Sequence, residues 1–443
     1  LIVPLAAITL VFVAFFFLPA FLRAGIYTIP EFLEYRFNHH ARTLMSVLMM
    51  LTYICVTLPA VIFSGAITGE VVFGENMLLG MKIDVVTVSW ILGIMAAIYV
   101  TAGGLKACAW ADLLQGSALI VGGAIVMVLA FSALGNASPD VLDRAMTALG
   151  KAAVETPGGA GDLSQAGAWE RFHALNADKL HMVLPATDKI VPWTALVLGL
   201  WIPNLYYWGL NQYIMQRTLG SRSLGEGQKG VVFAAGLKLL IPFIIIFPGM
   251  MAFNLFHEDM NARANDKTNR AALAAFEKHK ANRAAARVAF PFDDQFARLY
   301  PEKAAQLLVF NSRVAGTSAP TGKAALDANQ ALLEQIAKAN GSRPGPERIE
   351  IQQVLIGYQY DYAFGLLLKR LVPHGLFGLL IAAILGAVTS TLAAMLNAAS
   401  TIFTMDIYKP YFHKTASQAN LVAVGRISVV ACMVVGCLVA PLL

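Results

Sequence analysis

The sequence predicts an all-α fold, a polytopic bundle of membrane helices interrupted by a soluble helical insertion. Three observations lead there. Of 443 residues, 57% are hydrophobic and only 14% are charged, against about 25% charged in a soluble domain. The apolar runs reach roughly 20 residues, enough for a helix to cross the hydrocarbon core, and they lack the ~10-residue alternation of a barrel strand. Between two of the runs lies a long stretch, 257–372, of a different, Ala-rich and charged composition.

Eight spans can be drawn, over 1–21, 43–72, 85–103, 111–135, 192–215, 228–256, 373–406 and 419–443. The paired glycines 103–104, in TAGGLKA, sit in a helix-ending turn between the third and fourth. The loop 136–191 is polar and Gly-rich around TPGGAGDLSQAG, with one short helix expected near AWERFHALN. In 257–372, RAALAAFEKHKANRAAARVAF and KAALDANQALLEQIAKAN have helical composition, and TSAPTG and GSRPGPE punctuate them. This reads as a small external helical subdomain, with a flexible decoration as the competing reading. Pro373 and Gly375 can start the next span. The organisation is therefore membrane helices over 1–256, with the external loop 136–191, then the insertion 257–372, then membrane helices over 373–443.

Charge in the short loops orients the bundle. Arg23, Arg36 and Arg42, then Lys106, then Arg217, Arg222 and Lys229, then Lys409, Lys414 and Arg426 occupy alternate loops, which are placed in the cytoplasm. The loops 73–84, 136–191 and 257–372 fall outside. The insertion is itself basic, but long loops translocate largely regardless of charge. The net charge of +6 is scattered over loops and calls for no nucleic-acid partner. The four cysteines, Cys55, Cys108, Cys432 and Cys437, lie in or beside apolar segments without metal-type spacing and read as packing residues. Both ends of the sequence are mid-hydrophobic, so a fragment of a longer multi-pass protein of the cell (inner) membrane is expected.

Polar residues inside the spans point to a solute pathway. Lys238 lies within QKGVVFAAGLKLLIPFIIIFPGMMAFNLF, where a charge costs at least ~2.5–3.5 kcal/mol at bilayer depth. NLYYWGLNQY at 204–213 places amides, tyrosines and a tryptophan in one span, and TST at 389–391 places three hydroxyls in another. No phosphate-binding G-x-x-x-x-G-K-[ST] or zinc-binding H-E-x-x-H occurs, so any active transport would draw on an ion gradient. A membrane enzyme would need His or Asp clustered in the spans, and most of the eight histidines lie in loops or near span ends.

RAGIYTIPEFLEYRFN at 23–38, YVTAGGLKACAWADLLQG at 99–116, NLYYWGLNQYIMQRTL at 204–219 and STLAAMLNAASTIFTMDIY at 390–408 occur in that order. Together they resemble the solute:sodium symporter family, and within it the sodium/glucose and sodium/galactose branch. The resemblance covers the chain except the insertion and part of 136–191. It implies a LeuT-like core of two inverted five-helix repeats with a midplane site, working by alternating access. On that alignment the spans correspond to core helices two to nine, so the core is incomplete at both ends. The implied partners are sodium and a small solute, a sugar in this branch, in a lipid bilayer.

The resemblance assigns roles residue by residue. Lys238 matches a lysine that binds sugar hydroxyls, and an ammonium offers three donors to a polyol. Tyr207 matches the aromatic that caps the bound sugar, its hydroxyl within reach of Asn204. Trp208 is the next gate element, Asn204 a solute or gate ligand, and Gln212 and Gln216 are weaker candidates. Ser390 and Thr391, with the Ala387 carbonyl, match a sodium site of hard oxygen ligands, with Thr389 as a substitute. Asp112 matches an aspartate on the sodium exit path. The ordinary alternatives are snorkelling for Lys238, interfacial anchoring for the aromatics, i−4 back-bonding for the hydroxyls and helix capping for Asp112. The chain departs from the branch at Ile2 and Val3, where a tyrosine–glutamate pair is expected, at Ala6 for a serine, and at Thr57 for a solute-site asparagine. A different solute, such as a vitamin, nucleoside, sialic acid or amino acid, would account for this. So would a non-native start over residues 1–4. A transporter-like sensor would need an output domain.

Overall fold

A computed structural model describes residues 2–73, 77–78, 81–151, 163, 165–181, 183–186, 192–281, 287–316, 325–342 and 348–442. TSAPTG and most of TPGGAGDLSQAG and GSRPGPE lie outside the described residues. The chain divides into two compact units, one of Leu1–Asn136, Asp162–Met251 and Gly365–Leu443, the other of Ala137–Gly161 and Ala252–Phe364.

In the first unit, α1 (Val3–Ala24) passes through a π turn at Val13–Phe17. The short helix α2 (Ile29–Arg36) starts at Thr28, whose hydroxyl accepts the Glu31 N–H at 3.3 Å. Next, α3 (His39–Glu70) is capped by Asn38, which accepts the Ala41 N–H at 2.9 Å, and carries a π turn at Tyr53–Thr57. The long α4 (Val85–Gly135) starts at Asp84, which accepts the Thr87 N–H at 2.8 Å. That bond holds the Asp84 carboxyl below its ordinary range. Gly104, at φ +55°, bends α4 where a side chain would be strained. Gly104 (φ +55°, ψ −156°) is non-helical, so the expected third and fourth spans are two helical stretches that meet at this kink, where the paired glycines predict a turn.

Among the described residues, six helices are long and apolar enough to cross a membrane, against the eight spans drawn from sequence. One of the six, Val85–Gly135, contains the expected third and fourth spans on either side of non-helical Gly104. The expected 192–215 span is the shorter α7 (Ala195–Leu210), broken at Asn211 (φ −84°, ψ 117°) before α8 (Gln212–Leu219). The other long helices are α9 (Leu224–Arg263), α15 (His374–Phe412) and α16 (Gln418–Leu442). Small buried residues let α3, α4, α15 and α16 pack closely, among them Ala66, Ala96, Ala393 and Ala399, as lipid-embedded helices require. Cys108, Cys432 and Cys437 are buried in this core, and all four cysteines are free thiols. Large apolar side chains such as Phe16, Leu198, Ile202 and Ile427 are mostly exposed, which suits a hydrocarbon surround.

The second unit contains α5 (Pro139–Ala148), α10 (Arg270–Ala281), α11 (Asp294–Leu299), α12 (Pro301–Ala315) and α13 (Ala325–Ser342). Of the remaining helices, α6 (Ala168–Asn176) at the AWERFHALN segment belongs to the first unit, as does α14 (Ala363–Leu371) from Gly365 on, which leads into α15. Phe276, Phe290, Phe296, Leu307 and Ile336 form the second unit's own core. A parallel pair, β3 (Val288–Ala289) with β4 (Glu350–Ile351), closes it, while β1 (Met77–Leu78) and β2 (Met81–Lys82) make a hairpin in the first unit. Buried Asn311 accepts the Phe290 N–H at 2.9 Å and donates to the Phe290 carbonyl at 2.8 Å. Asn269 does the same for Ile356, at 2.9 and 2.8 Å. The two amides stand in for missing strand neighbours. Burial pushes the Asp293 carboxyl up although it accepts the Phe296 and Gly357 N–H groups at 2.6 and 3.1 Å. The described residues of the insertion thus gather around a core of their own.

Candidate solute and sodium site

Extended Asn211 breaks the run between Tyr206–Leu210 and Gln212–Leu219. Two apolar segments meet there with polar side chains between them. On α9, Lys238 shares a face with Val231 and Ala235, which pack on Ala7, Leu10 and Ala14 of α1 beside Trp208. Its ammonium lies 4.6 Å from the Trp208 ring centroid, a cation–π contact. Trp208 meets Tyr207 edge-on at 4.9 Å. The Tyr207 hydroxyl lies 2.5 Å from the Tyr213 hydroxyl. The Tyr213 N–H donates to the Tyr53 hydroxyl at 3.4 Å, and that hydroxyl donates a short bond to Asn211 Oδ1. An aromatic and hydroxyl chain thus runs from Lys238 to α3.

Two expectations change in detail. Tyr207 bonds Tyr213 rather than Asn204, because the π turn Tyr206–Leu210 rotates it away from the i−3 position. Asn204 is buried and donates back to the Leu200 carbonyl at 2.8 Å. Thr57 closes the π turn of α3, its hydroxyl 3.3 and 3.4 Å from the Thr52 and Tyr53 carbonyls.

A second cluster joins α4, α8 and α15. Ser390, 2% exposed, donates a short hydrogen bond to Asp112 Oδ1. The other Asp112 oxygen lies 2.5 Å from Arg217 Nη2. Arg217 also donates to the Tyr213 carbonyl at 3.0 Å, so this cluster touches the aromatic chain. Thr391 donates to the Ala387 carbonyl at 2.9 Å and Thr389 to Leu385 at 2.8 Å, the back-bonding usual for hydroxyls in membrane helices. Gln216 donates to the Ala394 carbonyl and accepts from Asn397, both at 2.9 Å. Gln212 accepts the Ile29 N–H at 2.8 Å. The geometry brings Ser390 to Asp112 and ties Thr391 to Ala387. All four supply oxygen, the donor type that a hard monovalent cation takes.

Sequence reasoning did not find a third cluster. Asp406 is fully buried. It accepts from the Thr28 hydroxyl at 2.8 Å and from Arg42 Nε and Nη2 at 2.9 and 2.6 Å. Arg42 reaches on to Glu34 at 2.5 Å, and this bond holds the Glu34 carboxyl below its ordinary range. The signal was present in TMDIY and in IPEFLEYRFNHHAR, but nothing in either segment names the other as its partner.

The sequence model described as the sodium:solute symporter family matches residues 2–293 and 350–442. The chain is 30% identical over 441 residues to a sodium/glucose cotransporter of Vibrio parahaemolyticus, covering 99% of this chain and 60% of that protein. It is 28% identical over 438 residues to the human sodium/myo-inositol cotransporter, covering 96% of this chain and 46% of that protein. The chain thus spans about half to three-fifths of the length of these relatives. It also superposes on the substrate-bound, outward-open structure of a Na+-coupled sialic acid symporter with a TM-score of 0.59, covering 100% of this chain and 67% of that one. At 16% identity that match speaks for a shared LeuT-like fold.

Proposed function

The chain belongs to the sodium:solute symporter family, and on that premise we propose that the whole protein is a sodium-coupled symporter. It takes up a small polyhydroxylated solute of the glucose or galactose class across the inner membrane by alternating access. The carrying observation is the position of Lys238. Its ammonium rests on the Trp208 ring at 4.6 Å, and among the described residues no carboxylate pairs with it. Its donors remain free for solute hydroxyls, and Tyr207 and Trp208 offer flat faces to an apolar pyranose face. Sodium takes the oxygens of Ser390, Thr391 and Ala387, and Asp112 lies on its way out. The folded insertion is an external appendage to the transport path.

One observation favours a second solute class. Val3 stands where the sugar branch places a glutamate, removing an acceptor for sugar hydroxyls worth roughly 1.5–3 kcal/mol. A solute whose hydroxyls are not met by a carboxylate at that position fits the loss, and a different polyol is one such class, since one relative is named a sodium/myo-inositol cotransporter. The test is uptake by the full-length protein in proteoliposomes, with and without a sodium gradient, against glucose, galactose, myo-inositol and sialic acid. Sodium-independent uptake, or uptake of none of the four, would overturn the proposal.

A further inference from the structure

A cavity of about 360 Å³ opens between the kink of α4, the last turns of α15 and the first turns of α16. Of its lining, Asn397 alone enters the solute and sodium clusters, where it donates to Gln216. Its polar lining includes Asn397, Ser400, Thr401, Thr404, Gln418 and Arg426. Three features make it a built site. First, Thr404 is 5% exposed and its hydroxyl has no hydrogen-bond partner. The π-helical run Phe403–Phe412 begins one residue before it, which disturbs the i−4 register that a threonine hydroxyl ordinarily uses. Second, Gly425 leaves space over the hydroxyls. A Cβ there would stand 3.6 Å from Thr404 Oγ1 and 3.9 Å from Ser400 Oγ, so any longer side chain would project into the cavity. Third, Arg426 is exposed at the rim, and among the described residues no carboxylate pairs with it.

The Ser400 and Thr401 hydroxyls donate to the Asn397 carbonyl, at 3.3 and 2.7 Å, so the cavity offers one uncompensated guanidinium and the free Thr404 hydroxyl, a charged fork and a donor that together suit a phosphate oxyanion. Its remaining wall is apolar, with Leu421, Val422 and Val429. Val422 is 53% exposed, and Ile427 and Val430 on the same helix are 69% and 47% exposed. That wall runs onto the lipid-facing side of α16. Arg426 lies at the end of the bundle where Lys409 and Lys414 also fall, the cytoplasmic end by the positive-inside rule. Basic pockets between helices on that side are where anionic headgroups dock. We propose that this cavity binds the phosphate headgroup of an anionic phospholipid of the cytoplasmic leaflet. Arg426 and Thr404 hold the phosphate, and the acyl chains lie along Val422 and Val430. The occupant is a lipid rather than free phosphate because half of the lining is apolar and continuous with the membrane face.

The test uses the full-length protein purified in detergent. Lipid binding is followed by native mass spectrometry, with phosphatidylglycerol, phosphatidylcholine and inorganic phosphate as separate probes. Phosphatidylglycerol is expected to bind one site at least roughly tenfold tighter than phosphatidylcholine, the range of one charge-assisted contact. Arg426→Gln and Gly425→Leu each abolish that preference. Gly425→Ala, which fits at ordinary contact distance, retains it. Equal binding of the two lipids, or an unchanged preference in Arg426→Gln, would overturn the proposal and leave Arg426 as a snorkelling residue. Inorganic phosphate that displaces phosphatidylglycerol at millimolar concentration would also overturn it, in favour of a soluble phosphate site. If Gly425→Leu does not fold, Arg426→Gln decides alone, since its exposed side chain carries no packing.

Discussion

Asp112 and Arg217 lie 2.5 Å apart, and the same carboxylate receives the Ser390 hydroxyl. A cation that reaches Asp112 must therefore compete with a guanidinium already there. Removing that competitor is predicted to help the cation. Arg217→Gln should lower the sodium concentration for half-maximal uptake, and Asp112→Asn should raise it. Opposite shifts in sodium-titrated uptake would support Asp112 on the sodium path, whereas equal losses in both variants would make the pair purely structural.

Ser390→Ala is predicted to raise the sodium requirement by roughly tenfold, the scale of one charge-assisted contact. Thr391→Ala should have a smaller effect, because its hydroxyl already serves the Ala387 carbonyl. Expression and thermal stability serve as controls. Unchanged sodium dependence in both variants would reduce the hydroxyls to helix packing.

Lys238→Ala is predicted to weaken solute uptake by tenfold to more than a hundredfold, the range for lost hydrogen bonds to a charged group. The protein should still fold, because among the described residues Lys238 has no buried carboxylate to strand. Trp208→Leu should produce part of the same loss by releasing the ammonium. Near-normal uptake by Lys238→Ala would identify a snorkelling residue.

Asp406→Ala is predicted to cost about 3–5 kcal/mol of stability, as for one partner removed from a buried pair. The lower end is expected, since Arg42 keeps Glu34 at 2.5 Å. Glu34 adds a pH dependence. Its carboxyl is held below the ordinary 4.5, so its contribution is complete above that value and is lost only as pH falls below it. Thermal unfolding should be flat for this contribution from pH 7 to 5.5 and should fall in more acid buffer. In Glu34→Gln that part of the acid slope should disappear.

A shortened connection from Phe256 to Tyr360 is predicted to retain measurable uptake, since loop-closure entropy grows slowly with length. The deletion breaks the ion pair of Arg144 with Glu258, at 2.9 Å with side chains 48% and 63% exposed. Such exposed pairs contribute little. Protease should cut the intact insertion from the periplasmic face only. Complete loss of uptake in a well-inserted deletion would assign the insertion a part in transport.

The helices were legible because apolar length and Gly, Pro and capping residues are local signals. Lys238 and Ser390 stood out for the same reason, each a polar group in an apolar run, whereas Asp112 was singled out only by the family resemblance. The Asp406–Arg42 pair spans 364 positions, and no local pattern encodes such a partner. The Tyr207–Tyr213 contact also lay out of reach, because it depends on a π turn that shifts the register by one residue. Composition marked 257–372 as soluble, but only the folded chain reveals the core around Phe276 and Phe290.

The short helix α8 is bounded by extended Asn211 and by Gly220, and its eight residues make a rod of ~12 Å. Tyr213 near one end belongs to the aromatic chain, and Arg217 one turn later belongs to the Asp112 cluster. Such a rod acts as a crank, since neither end can shift without carrying the other. For two ligands that engage its opposite ends, linkage demands symmetry. Whatever factor sodium lends to solute affinity, solute must return to sodium.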